Sequence, residues 1–152
     1  MDEEAIAPVD ILLVEDNNAD VELTRQALRE ARIPNHLHVA EDGEDAMQFL
    51  HREAPHEKAP RPDLIILDLN LPSKNGREVL QEVKGDDDLK SIPVVVLTTS
   101  EDAEDIRDVY RHHGNSYLCK PVDFHDFLKI IKTFESFWLG AAKLPPREAG
   151  GS

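Results

Sequence analysis

Pro62-Asp63-Leu64-Ile65-Ile66-Leu67-Asp68-Leu69-Asn70-Leu71-Pro72 is the stretch whose reading decides the fold. It is a short apolar run bounded by prolines and dense in Ile and Leu. Such a run predicts a strand buried on both faces, the kind found inside a parallel sheet. Asp68 sits near its C-terminal end, where the apolar residues give way to Asn70 and Pro72. A carboxylate there is costly unless something pairs with it. Taken alone, Asp68 reads equally well as a strand-end residue capping the next turn. The rest of the chain decides.

Working outward, three more runs have the same character. Ile11-Leu12-Leu13-Val14 precedes the acidic pair Glu15-Asp16. Pro93-Val94-Val95-Val96-Leu97 precedes Thr98-Thr99-Ser100, and Ser116-Tyr117-Leu118-Cys119 precedes Lys120-Pro121. His36 to Ala40 alternates loosely and reads as a shorter strand.

Helical stretches separate them. The first starts at an Asn17 or Asn18 N-cap and runs to about Ile33, where Pro34-Asn35 stops it. Val21, Leu23, Ala27, Leu28 and Ala31 are its candidate buried side. A second follows the turn Glu41-Asp42-Gly43 and holds Ala46, Met47, Phe49 and Leu50. Ala54 to Pro62 carries three prolines and predicts an exposed loop. After the turn Ser73-Lys74-Asn75-Gly76, a third helix over about Arg77 to Lys84 carries Val79, Leu80 and Val83. A fourth spans Glu101 to His113, closed by Gly114, and a fifth spans about Asp123 to Leu139.

Five strands alternating with five helices predict an α/β domain with a doubly wound parallel sheet and helices on both faces. The domain spans 9–139, between an acidic tail at 1–8 and a frayed C-terminal tail at 140–152.

The whole composition agrees. The chain has 152 residues, 40% hydrophobic and 32% charged, which suits one soluble domain with a real core. The formal net charge is -14, from 31 acidic and 17 basic residues, and no Lys/Arg cluster exists. Nucleic acid is therefore not an expected partner. No apolar run approaches the roughly 18 residues of a membrane span, and the acidic opening Met1 to Asp10 is no signal peptide. The single cysteine, Cys119, forms no internal disulfide, which fits a reducing cytoplasm.

In open parallel sheets, ligands bind outside the carboxyl ends of the strands. The polar residues fall at those ends: Glu15-Asp16, Asp68, Thr98-Thr99 and Lys120. Three carboxylates at one rim repel one another, which would raise a pKa or call in a cation. A hard divalent ion answers that need; Mg²⁺ takes one or two carboxylates, keeps waters and binds phosphate. With Lys120 as a point charge and Thr98 as a hydroxyl donor, the set suits phosphoryl transfer. Asp68 is the best candidate nucleophile, through an aspartyl-phosphate, because it lies centrally. No G-x-x-x-x-G-K-[ST] loop, G-x-G-x-x-G or G-x-S-x-G elbow is present. His36/His38 and His112-His113 read as surface or core histidines rather than ligands.

At this point the residues match a known family. Glu15-Asp16, the Asp68 strand, Leu97-Thr98-Thr99 and Lys120-Pro121 resemble the receiver domain of two-component response regulators, over about Val9 to Leu139. The resemblance implies a flavodoxin-like sheet of order 2-1-3-4-5. It implies that Asp68 accepts a phosphoryl group from a phosphohistidine on a sensor histidine kinase. Asp16, Asp68 and the Asn70 backbone carbonyl would ligate Mg²⁺, with Mn²⁺ able to replace it. Glu15 would act through a bound water; many relatives carry Asp here. Thr98 would hydrogen-bond the attached phosphoryl group, Lys120 would pair with it, and Thr99 would offer its backbone N–H. Tyr117 matches the aromatic that turns inward with Thr98 on activation, and Lys120-Pro121 is where the family holds a cis peptide.

Leu89-Lys90-Ser91-Ile92 through Ser100, with the Pro-rich loop before Asp63, looks like the small stand-alone regulators paired with phytochrome-type kinases. The implied protein catalyses only its own phosphorylation and autodephosphorylation. The resemblance also implies a regulator without a DNA-binding output domain, with a histidine phosphotransfer protein as a downstream acceptor.

Output would then use the receiver's own surface. The last helix holds Phe124, Phe127, Phe134, Phe137 and Trp138. At about 100° per residue, Phe124, Phe127, Leu128, Ile131 and Trp138 share one face that can pack on the sheet. Ile130, Phe134 and Phe137 lie on an adjoining face, making the apolar arc wider than an ordinary surface helix needs. That predicts a homodimer interface, although a tail folding back would cover the same face.

Two other readings compete. A phosphatase of small substrates generally needs a second acid two residues after the nucleophile; Asn70 stands there and cannot serve. A degenerate receiver used as a scaffold would not need Asp16, Asp68, Thr98 and Lys120 together.

Overall fold

Alternation along the strands builds two separate cores from continuous apolar runs. In the computed structural model, which describes residues 8–32, 34–71, 75–98, 116–119, 125–129 and 132, the strands are β1 (Val9–Val14), β2 (Asn35–Ala40), β3 (Leu64–Asp68), β4 (Val94–Thr98) and β5 (Ser116–Cys119). They form one parallel sheet of order β2-β1-β3-β4-β5. Three helices are described in full: α1 (Asn18–Glu30), α2 (Gly43–His51) and α3 (Gly76–Gly85).

Successive side chains of a strand point to opposite faces. Leu12, Val14, Ile65, Leu67, Val94 and Val96 therefore join Ala46, Met47, Phe49 and Leu50 of α2 and Val79, Leu80 and Val83 of α3 in one cluster. Ile11, Leu13, Leu64, Ile66, Val95 and Leu97 join Val21, Ala27 and Leu28 of α1, and Phe127, in the other. A strand sandwiched in this way shows no polar face, which is why its sequence reads as an unbroken apolar run.

The order at the N-terminal edge is fixed by a two-way clasp. Asp63 N donates to Asp10 O at 2.7 Å, and Asp10 N donates to the Asp63 carboxylate at 2.8 Å. Asp63 thus sets where β3 enters beside β1.

The structure corrects several sequence expectations. α1 ends at Glu30, not Ile33, because Ala31 caps it and Arg32 turns into the left-handed region at φ 59°. On its inner side Thr24 is buried and Leu23 is half-buried, the reverse of the expected choice. Thr24 can be buried because its hydroxyl donates to Asp20 O at 3.0 Å. The loop before β3 is not simply exposed. Pro62 is buried, and His56 is held to the Asp45 carboxylate at 2.7 Å. The Phe49 ring lies between the His56 and His38 rings, with centroids 5.4 and 5.2 Å away.

The helix expected over Glu101–His113, the Lys120-Pro121 cis peptide and both tails apart from Pro8 lie outside the described residues. Of the expected last helix, residues 125–129 and 132 are helical. Phe127 is buried and Leu128 packs beside it on the α1 side of the sheet, as the face analysis anticipates.

Candidate functional site

The site forms where β1 and β3 run out. Glu15 directly follows β1, and its N–H donates to Ala40 O at 2.9 Å, extending the β1–β2 ladder by one residue. Its side chain is buried, only 1% exposed. The carboxylate accepts from the Asn17 N–H at 3.2 Å, so it curls over the start of α1. Asn17 caps that helix, its side chain accepting from Asp20 N at 3.1 Å. Asp16, between them, is exposed.

Asp68 is the last residue of β3, pairs in register with Leu97 of β4 and is 3% exposed. The Asn70 N–H donates to Asp68 Oδ1 at 2.9 Å, which fixes the carboxylate's rotation. Glu15, Asp16 and Asp68 each bring one carboxylate oxygen to within 4.8 Å of the other two. Two of these three anions are shielded from water. Hard oxygen donors crowded in this way fit a hard divalent cation.

Gly76, the first residue of α3, is the functional position that sequence reasoning missed. A Cβ there would sit 2.4 Å from Asp68 O and 2.5 Å from Leu69 Cα. Only glycine lets α3 approach the strand end so closely. Gly76 N donates to Leu69 O at 3.1 Å, tying α3 to the turn that follows Asp68. The signal was legible. Asn75 and Glu78 form a capping box, each side chain bonding the other's backbone N–H at 3.0 to 3.1 Å. That pattern marks a helix start where the sequence was read as a turn.

The remaining site residues divide between described and undescribed positions. Thr98 ends β4 and pairs in register with Cys119, so its backbone lies one step beyond Leu97 at the rim of Asp68. Tyr117 pairs with Val96 on β5. Asn70 is exposed and two residues beyond Asp68. Thr99, Lys120, Ile130, Phe134 and Phe137 lie outside the described residues.

Comparison with known proteins gives a consistent answer. The family model of the response regulator receiver domain matches residues 11–132. The response regulator Rcp1 of Synechocystis sp. is 48% identical over 145 residues, covering 95% of this chain and 99% of Rcp1. Among solved structures, the phosphorylated cyanobacterial phytochrome response regulator RcpA superposes with a TM-score of 0.78 at 47% identity, covering 92% of this chain and all of that one. The Mn²⁺-bound form of Rcp1 superposes with a TM-score of 0.77 at 48% identity, covering 91% and 100%.

Proposed function

The chain belongs to the response regulator receiver family, and on that premise we propose that Asp68 is its phosphoacceptor, charged by a sensor histidine kinase. The observation that carries this reading is the meeting of the Glu15, Asp16 and Asp68 oxygens at the carboxyl rim of the sheet. In the transfer, an Asp68 carboxylate oxygen forms the new O–P bond as the N–P bond of a phosphohistidine breaks. The freed imidazole keeps the bonding electron pair and takes up a proton. The Asn70 N–H holds Asp68 Oδ1 in place during this step.

Asp16, Asp68 and the Asn70 carbonyl would hold Mg²⁺, with Mn²⁺ as a substitute and Glu15 acting directly or through water. When bound, the ion neutralises charge on the carboxylates and on the phosphoryl oxygens. Thr98 and the Thr99 N–H receive the attached phosphoryl group, Lys120 pairs with it, and Tyr117 turns with Thr98 as the switch. Water then releases the group, so the chain turns over its own phosphoryl state and no other substrate.

The test is intact mass after incubation with a small phosphodonor, with and without Mg²⁺, on wild type and Asp68→Asn. One added phosphoryl group that requires both Mg²⁺ and Asp68 is the expected result. No adduct and no donor turnover in the wild type would refute the assignment.

The partner in this reading is a kinase of the phytochrome type, which the likeness to the phytochrome response regulator RcpA supports, and the compartment it implies is the cytoplasm. The receiver spans 9–139, and a histidine phosphotransfer protein is the natural downstream acceptor. The last helix supplies a homodimer face at Ile130, Phe134 and Phe137. Its described turn supports this division of labour, since Phe127 already fills the place against the sheet. Sedimentation of Phe134→Asp decides the point: the wild type should dimerise and the variant should not.

A further inference from the structure

A second cleft lies at the opposite rim of the sheet from Asp68. It has a volume of about 390 Å³ and is lined by Leu50, His51 and Arg52 at the end of α2, Arg61 before β3, and Asp86, Asp88 and Leu89 after α3. That volume is within the roughly 300–1,000 Å³ of small-molecule sites. Three features give it chemical character.

The first is segregation of charge by element. Both guanidinium groups come from the α2 end and the following loop, whereas both carboxylates come from the α3–β4 connection. The second is fixed placement. Arg61 Nη2 donates to Ser91 Oγ at 2.9 Å, which leaves four of its five N–H groups for other acceptors. The acidic wall is fixed too, since the Asp86 carboxylate accepts from Asp88 N at 2.7 Å and Asp86 itself caps α3. The third is the choice of residue at 52. Arg52 closes α2 in the left-handed region at φ 56°, where glycine is the usual solution. Arg32 adopts the same conformation after α1, so the conformation alone argues nothing. What matters is that position 52 lines the cleft and is an arginine there.

Leu50 and Leu89, both buried, complete the lining and are its apolar members. We propose that this cleft binds an amphoteric ligand of amino-acid to dipeptide size. Its carboxylate faces Arg52 and Arg61, its ammonium faces Asp86 and Asp88, and its aliphatic part lies over Leu50 and Leu89. The proposal is independent of the phosphoacceptor assignment.

The probe is the dipeptide alanyl-leucine, titrated into the full ¹⁵N-labelled chain alongside its N-acetylated and C-amidated forms. The expected result is a saturable shift of amides at 50–52, 61 and 86–89, with millimolar affinity. Each blocked form should bind at least tenfold more weakly. Arg52→Gly should fold normally, because glycine suits φ 56°, and should weaken binding of the free dipeptide about tenfold. That same variant should bind the C-amidated form no differently from wild type. Absence of a saturable shift at these residues would overturn the proposal. So would equal binding of free and blocked peptides, or an Arg52→Gly variant with full affinity for the free dipeptide.

Discussion

Asp68 stands out in the sequence because a lone carboxylate closes an apolar run, and the structure buries it at the last position of β3. Gly76 has no such mark, although α3 packs there against the backbone of Asp68 and Leu69. The Asn75/Glu78 capping box marks the helix start, but nothing in one sequence reports that a Cβ at 76 would meet Asp68 O at 2.4 Å. The consequence is testable. In Gly76→Ala the new methyl meets backbone oxygen, so α3 or the turn after Asp68 must move. Overpacking of this kind costs about 1–3 kcal/mol. Urea denaturation should show that loss with an unchanged slope. The Asp68 adduct should also form more slowly, because the segment that carries Asn70 N–H to Asp68 Oδ1 is the one displaced. A variant as stable as wild type would show that the contact relaxes without cost.

Among elements, the strands were the most legible and the helix ends the least. Every strand was located to within two residues, because burial on both faces leaves an apolar run with sharp ends. The end of α1 is less legible, because Pro34 reads as the stop. The helix in fact ends earlier, at Glu30, just ahead of Arg32, whose left-handed turn has no compositional mark. Lys84 is another case. The sequence marks it only as the approximate end of the third helix, but its ammonium donates to Lys90 O at 3.0 Å and Ile92 O at 2.6 Å, fastening α3 to the segment that leads into β4. Burial lowers its pKa from the usual 10.5. Between that lowered value and 10.5 the unfolded chain binds more protons than the native one, so stability contributed through Lys84 rises with pH across that window. Below it, the desolvation of the ammonium acts in full. Urea midpoints measured from pH 7 to 10.5 on wild type and Lys84→Met should therefore converge or diverge in one direction only. Wild type gains on the variant as pH rises. Parallel curves would show that the ammonium is solvated in the native state.

For the whole molecule, charge is the dominant fact. A net charge of -14 repels itself in any compact state, and three of those carboxylates meet at one rim. Two effects of added salt must then be separated. Monovalent salt screens the general repulsion and should raise the melting temperature gradually, without saturation at low concentration. A divalent ion held by Glu15, Asp16 and Asp68 binds the native state alone, because the unfolded chain does not bring these oxygens together. Its contribution follows mass action, about 2.7 kcal/mol at a hundredfold excess over Kd. Melting curves in MgCl₂ against NaCl at matched ionic strength should show a saturable increment with Mg²⁺ only. Asp16→Asn should remove that increment while leaving the NaCl response intact, since one charge in fourteen barely alters the general field. If Mg²⁺ and Na⁺ at equal ionic strength act alike in the wild type, the three carboxylates are an acidic rim and not a cation site. The phosphoacceptor chemistry proposed for Asp68 would then lack its counter-charge.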